Sequence, residues 1–451
     1  MNPIQITPEN TEFVILSFEG PDLYSLAGGL GVRVTNLSYS LSEAGFKTNL
    51  FYVGDPELKG IEYRNNGNLI LHRWCQWISK YHQYGVYEGE HGKLYDYNES
   101  IPPFLLDNVI LPAISEGKMV VIMGEEWHTA EVMCRIHSLL TSIGLRDHAV
   151  LFWNANNTYS FEQIDWNRLQ SAATITTVSR YMKQIMKQMG LNPIVVTNGI
   201  PAALLNKVDE TLTARFRQTM AADLVISKIA RWDRDKQWES AIEATARLKA
   251  RGLRTILLAR GGIEPYGNDI INQACSLGLK VHDVWTDGED FEDYFKAVEG
   301  ANSADILNIR FHCPQALLRI FYNTSDAVLA NSVHEPFGLV GLEAMAAEGI
   351  VFTGGTGEDY AIPFYNSFVL ETQDPAEIET YVHYISNNQV KKTQIRQAAK
   401  ETASLFTWPE VIKNLLQRIE YHATKQGLLR TTLDQNKAIK HTSLLKKGIA
   451  V

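Results

Sequence analysis

The chain has 451 residues, 45% of them apolar and 21% charged, which suits two or three cored domains and argues against a disordered or tail-like chain. Lys and Arg number 42 against 51 Asp and Glu, a balance of −9 that argues against a nucleic-acid binder relying on blanket phosphate neutralisation.

The opening MNPIQITPENTEF lacks the basic start and apolar run of a secretory signal. No later stretch approaches the roughly 18 apolar residues of a spanning helix. Cys75, Cys134, Cys275 and Cys313 are far apart and form no CxxC pair, so the chain reads as cytoplasmic, with neither a zinc site nor a disulfide scaffold. From there, short apolar runs alternate with amphipathic ones. Phe13–Phe18 is a strand, Leu30–Ala44 a helix stopped by Gly45, and Thr48–Val53 a strand. An aromatic insertion follows at His72–Tyr97, read mainly as a satellite core. Met119–Met123 is a strand, 129–141 a helix and Ala149–Trp153 a strand. Ala173–Val178 leads through Ser179 into a helix ending near Gly190, and Ile194–Thr197 closes the set. This is the rhythm of a parallel sheet covered by helices.

The rhythm restarts after a polar helical link at 206–220. Leu224–Ile229, Thr255–Ala259, Asp326–Ala330 and Ile350–Thr353 are strands. Asp233–Arg251, Pro314–Tyr322 and Gly338–Ala347 are helices, the first stopped by Gly252. A helical segment follows Pro409. The last residues, TLDQNKAIKHTSLLKKGIAV, form a mildly basic surface tail that leaves weak peripheral membrane contact open.

Chemistry concentrates where strands end. In NSVHEPFGLVGLEAMAAEG, Glu335 lies in a loop and Glu343 eight positions on, along a helix entered at Gly338. Amides of Gly338, Leu339 and Val340 suit a phosphate, Glu343 a pair of vicinal hydroxyls and Glu335 a sugar; an ordinary acidic helix behind a Pro-Gly loop is the alternative. In RWDRDK, Arg231 and Lys236 straddle a strand-to-helix turn and can converge on a diphosphate, while Asp233 and Asp235 read as helix caps and not as a metal motif. Gly354, Gly355 and Gly357 form a third loop, ended by Glu358.

In the first half, Glu19 is followed by SLAGGLGVRV, where Gly28 and Gly29 let backbone approach a ligand. The loop is not GxGxxG, and no acid ends the next strand, which argues against a dinucleotide-dependent dehydrogenase. Strand MVVIM ends in GEEWH. Glu125 is a candidate to touch a sugar or stabilise a cationic centre, and His128 caps a helix or meets an acceptor. Trp153, Asn154, Arg73 and His82 are further acceptor candidates. No G-x-S-x-G is present.

In order, GGLGVRV, EEWHTA, TTVSRYM, VVTNGI, RWDRDKQW and HEPFGLVGLEAMA resemble a retaining GT-B glycosyltransferase of the GT4 group, with features shared by bacterial glycogen and starch synthases. The resemblance implies an α/β GT-B fold of two Rossmann-like αβα domains facing across a cleft. It implies an acceptor-binding domain over 1–205, a nucleotide-sugar-binding domain over 206–408 and, over 409–451, a helix returning to the first domain plus the tail. It further implies transfer of a hexose, most simply glucose, from a UDP- or ADP-sugar to a carbohydrate or sugar-phosphate acceptor, with no metal required. Arg231 and Lys236 would hold phosphates, Glu335 the donor sugar and Glu343 the ribose. Leu26 stands where glycogen synthases carry lysine, and Glu125 where they carry histidine, which favours a different acceptor. Sucrose-phosphate-synthase-like transfer, glucan elongation and an inactive nucleotide-sugar-binding protein are the alternative readings. The oligomeric state is left open.

Overall fold

The computed structural model describes residues 5–428; the basic tail from Thr432 lies outside them. The chain divides into two compact units. One comprises the residues up to Gly199 together with those from Trp408, and the other is Ile200–Thr407.

The first unit is built on an eight-stranded sheet: β1 (Thr11–Leu16), β2 (Lys47–Val53), β3 (Ile61–Arg64), β4 (Leu69–Trp74), β5 (Met119–Glu125), β6 (Ala149–Ala155), β7 (Thr174–Thr177) and β8 (Ile194–Val195). Their order is β3-β4-β2-β1-β5-β6-β7-β8. All neighbours are parallel except β3 with β4. Central strands β1 and β5 are buried along their whole length, as a sheet covered on both faces requires. The helix Trp408–Lys425 belongs here. Its Trp408, Val411, Ile412, Leu415 and Ile419 recur at helical spacing and join Val34, Leu37 and Leu41 in one core with Phe13 and Ile15.

Strand β4 is one element the apolar pattern hid, because His72 and Arg73 interrupt LILHRW. Both are buried. His72 lies flat on Phe51 with ring centres 4.0 Å apart and meets Asn49 Oδ1 at 3.0 Å. Arg73 donates to both oxygens of Asp22 at 2.8 and 2.9 Å and to Glu62 at 2.6 Å. Apart from its packed rings, such as Trp74 and Tyr97, the aromatic insertion departs from the satellite core expected of it. Trp77, Tyr81, Tyr84 and Tyr95 are exposed. Residues 80–88 are mostly turns, and the carbonyls of Gly85 and Val86 are held by Lys93 while the rings of Tyr81 and Tyr84 stay in solvent.

The second unit holds seven strands: β9 (Leu224–Ile229), β10 (Thr255–Arg260), β11 (Val281–Val284), β12 (Ile306–Ile309), β13 (Ala327–Ala330), β14 (Val351–Thr353) and β15 (Phe368–Val369). They run parallel in the order β11-β12-β10-β9-β13-β14-β15. Trp232, Trp238, Leu257, Leu329 and Phe352 share its core. The order turns back at β9, with β10 on one side and β13 on the other, and ligands of open parallel sheets lodge where connections diverge in this way. Among the described residues no helix is long and apolar enough to cross a membrane.

Candidate functional site

The loops after neighbouring β9 and β13 carry the densest chemistry. The sequence predicts one helix over 233–251. Instead Asp233 caps a short turn, Arg234–Lys236, by accepting the Asp235 amide at 2.9 Å, Gln237 takes a left-handed φ of 54°, and the helix starts at Trp238. That break follows from packing: Trp232 and Trp238 close on each other with ring centres 4.0 Å apart. It leaves Lys236 outside the helix, where Nζ reaches Glu335 Oε2 at 2.8 Å and Ser332 Oγ at 3.3 Å. The two loops are stitched again by Val333 N donating to Asp235 O at 2.8 Å and by His334 Nδ1 against Asp235 Oδ1 at 2.9 Å.

Glu335 is anchored from the far side too. Its amide donates to Thr356 Oγ1 at 2.9 Å. A methyl group on Gly357 would sit 2.0 Å from the Glu335 carbonyl oxygen, so only glycine permits this approach. Gly338 has φ 80° and opens the helix Leu339–Ala346, whose first-turn amides have no carbonyl to bond within the helix. A side chain at Gly338 would come 3.3 Å from Glu335 Cγ. The structure thus brings Lys236, Glu335 and Gly338 together. Glu343 follows on the same helix, half-buried, and desolvation pushes its carboxyl up to about 7. Arg231, five positions before Lys236, is exposed and is not drawn into the ion pair.

Two titratable groups beneath this cluster have no role in the sequence reading, which names Glu358 only as the end of the third loop and Lys228 not at all. Lys228 is buried with Nζ 2.6 Å from Asn331 Oδ1, and burial, helped by the Lys236 ammonium, brings its amine down to about 7. Glu358 is buried with Oε1 unpartnered, and burial pushes its carboxyl up to about 8 from an ordinary 4.5. The folded protein therefore keeps a proton that the unfolded chain releases near 4.5. The stability it confers is complete below that value and lost as pH rises through about 8. Glu358→Gln keeps the oxygen that accepts the Thr356 amide and needs no proton. Its melting temperature is expected to fall less than the parent's between pH 5 and pH 8.5; parallel curves would contradict the assignment.

In the first unit the glycine loop is already occupied. Glu19 Oε2 accepts the amides of Ala27, Gly28 and Gly31 at 3.2, 2.9 and 3.0 Å, and Oε1 accepts Tyr87 OH at 2.5 Å. The Gly28 N–H is therefore not available to a ligand as the sequence suggested, because an internal carboxylate has taken the anion seat at the start of the helix Gly29–Glu43. Gly29 has open space where a side chain would be. Glu125 also needs correcting. It is 0% exposed, and its Oε2 accepts Arg33 Nε at 3.0 Å, Asn154 Nδ2 at 2.9 Å and Asn156 Nδ2 at 3.0 Å. It is the hub of a buried network and touches no surface from which a sugar could be met.

Four acceptor candidates are likewise interior. Asn154 serves Glu125, Trp153 donates to the Glu126 carbonyl, and Arg73 is closed by acids. His128 stacks on Phe18 at 4.2 Å, contacts Glu90 at 2.7 Å, and is held neutral by burial, which lowers it to about 4. His82 alone among the five is partly exposed. The neighbouring acid Glu126 carries more strain than Glu125. Its φ is 66°, its Oε1 accepts the amides of Asn156 and Asn157, and burial raises it to about 8. A non-glycine residue held at positive φ at a strand end is a mark of local constraint, one that a doubled acid in sequence cannot reveal.

Residues 213–402 match the family model described as glycosyl transferases group 1. Among solved structures, the sucrose-phosphate synthase of Thermosynechococcus elongatus superposes with a TM-score of 0.65 at 17% identity, covering 92% of this chain and 100% of that one. The chain has the GT-B fold. The catalytic domain of starch synthase IV from Arabidopsis thaliana, solved with ADP and acarbose, gives 0.64 at 16% identity over 93% of this chain and 100% of that one. Anabaena HepE, solved with UDP-glucose, gives 0.59 at 15% over 91% and 99%. No curated protein matches the chain by sequence. Among the described residues of this GT-B chain no group of three or more His, Cys, Asp or Glu side chains is gathered as a metal site would need.

Proposed function

We propose that the protein is a retaining glycosyltransferase that moves a hexose, most simply glucose, from a UDP- or ADP-sugar to an acceptor hydroxyl. The observation that carries this reading is the Lys236–Glu335 pair at the entrance of the helix Leu339–Ala346. A diphosphate arriving at that entrance draws Lys236 away from Glu335 and meets the orphan amides of the first turn. The freed Glu335 carboxylate accepts hydrogen bonds from donor-sugar hydroxyls, and Glu343 accepts them from the ribose. Arg231, which is exposed, adds a second cation.

As the bond to the anomeric carbon breaks, negative charge grows on the diphosphate, where Lys236, Arg231 and the helix amides are already set, and such preorganised charge is a large part of catalysis. An acceptor hydroxyl approaching the face the diphosphate leaves retains the configuration, and a phosphate oxygen takes its proton. The GT-B relatives solved with ADP and with UDP-glucose support the choice of donor class.

Titration of the chain with UDP, ADP and their glucose conjugates, followed by nucleotide release in the presence of saccharide acceptors, tests this. Binding of one nucleotide with acceptor-dependent release is expected. Binding without release under any acceptor would identify an inactive nucleotide-sugar-binding protein.

A further inference from the structure

We infer that the acceptor is an uncharged carbohydrate and not a sugar phosphate, an inference that rests on the transferase reading with the acceptor held by the first unit. Recognition of a phosphate draws on cations free to turn toward it or on unpaired loop amides, and those of Ala27, Gly28 and Gly31 are already taken by Glu19. Three cations near the strand ends of this unit are spent internally. The side chain of Arg33 is 1% exposed and bound to Glu125 at 3.0 Å and Asn198 at 2.5 Å. That of Arg73 is also 1% exposed, between Asp22 and Glu62. Lys93 is buried and donates to Tyr24 OH at 2.6 Å, Val86 O at 3.1 Å and Gly85 O at 3.2 Å. The Glu19 carboxylate nearby adds repulsion.

The same loops present rings. Tyr84 is 96% exposed, Tyr81 81% and Trp77 64%. Their segment is fastened to the glycine loop by Val86 N donating to Tyr24 O at 3.1 Å, by Tyr24 OH donating to His82 O at 2.6 Å and by Tyr87 OH on Glu19. Exposed aromatic faces with polar tips, on a framework whose buried cations are already paired, match the apolar C–H faces and hydroxyl edges of neutral sugars. Lys59 and Lys80, both exposed, lie on separate loops, and Arg180, the first residue of the helix Arg180–Gln188, has a partner of its own. Arg180 follows β7, four places along the sheet from β2, after which Lys59 lies.

The experiment measures nucleotide release from whichever donor the titration identifies, with two acceptor sets: neutral saccharides (maltotriose, cellotriose, sucrose) and sugar phosphates (glucose 6-phosphate, fructose 6-phosphate). Stimulation by the neutral set alone is expected. Tyr81→Ala with Tyr84→Ala should raise the acceptor KM by roughly tenfold with donor binding unchanged, as the loss of one or two ring contacts implies, and Lys80→Ala should leave it alone. Preference for a sugar phosphate, or its loss in Lys80→Ala, overturns the inference. So does the absence of stimulation by any neutral saccharide while the nucleotide still binds. If no nucleotide binds at all, the transferase reading fails first and this inference falls with it.

Discussion

Lys236→Met should weaken binding of the nucleoside diphosphate by about 10- to 100-fold, because one charge-assisted hydrogen bond to phosphate contributes about 1.5–3 kcal/mol. Turnover should drop further, since the leaving diphosphate carries more charge in the transition state than in the ground state. Glu335→Gln is the discriminating partner. In the free protein Glu335 holds Lys236 at 2.8 Å and confronts an incoming phosphate with like charge. Its removal should leave nucleotide affinity equal or tighter while transfer falls by about 10²-fold or more, as for loss of one preorganised polar contact. Titration calorimetry and initial rates on the two variants check both signs. Parallel losses of affinity in the two would mean that the pair only holds the loops together.

Arg33→Met should cost about 3–5 kcal/mol of stability, the expense of leaving a carboxylate buried without its counter-ion. Glu125 Oε1 already lacks a partner, and Oε2 depends on Arg33 and two carboxamides, so little else can absorb the charge. Removing both members, as Arg33→Met with Glu125→Leu, should recover part of that loss, giving a coupling of the sign expected for a buried pair. Urea denaturation of the single and double variants measures it. Nucleotide affinity should not move, because Lys236, Glu335 and Glu343 all belong to the other unit. A drop in affinity equal to that of Lys236→Met would place Glu125 back in the chemistry.

The fold was largely legible in the sequence because its signal is periodic. β1, β5 and β9 are near-continuous apolar runs, and helices such as Leu339–Ala346 begin at glycines. What failed to show were strands whose polar residues are satisfied inside, β4 with His72 and Arg73, the mostly exposed edge strand β3, and the short strands β11, β12 and β15. Half of the candidate site was legible for a related reason. Lys236, Glu335 and Gly338 sit in contiguous motifs, and neighbouring strands bring those motifs together. Glu125, His128, Trp153, Asn154 and Arg73 carry suitable chemistry, yet their accessibility depends on partners over 10 positions away, among them Arg33, Glu90 and Asp22. A string of residue types marks an acid at a strand end without saying whether it faces solvent or a buried arginine.

The proposed transfer requires a diphosphate seated against Lys236 and the first turn of the helix Leu339–Ala346. The most direct measurement is a crystal structure of the protein with an intact UDP- or ADP-sugar. It should find the phosphates within hydrogen-bond distance of Lys236 Nζ and the amides of Leu339 and Val340, with the Lys236–Glu335 contact opened and Glu343 on the ribose. A nucleotide bound elsewhere, with Lys236 still closed on Glu335, would contradict it.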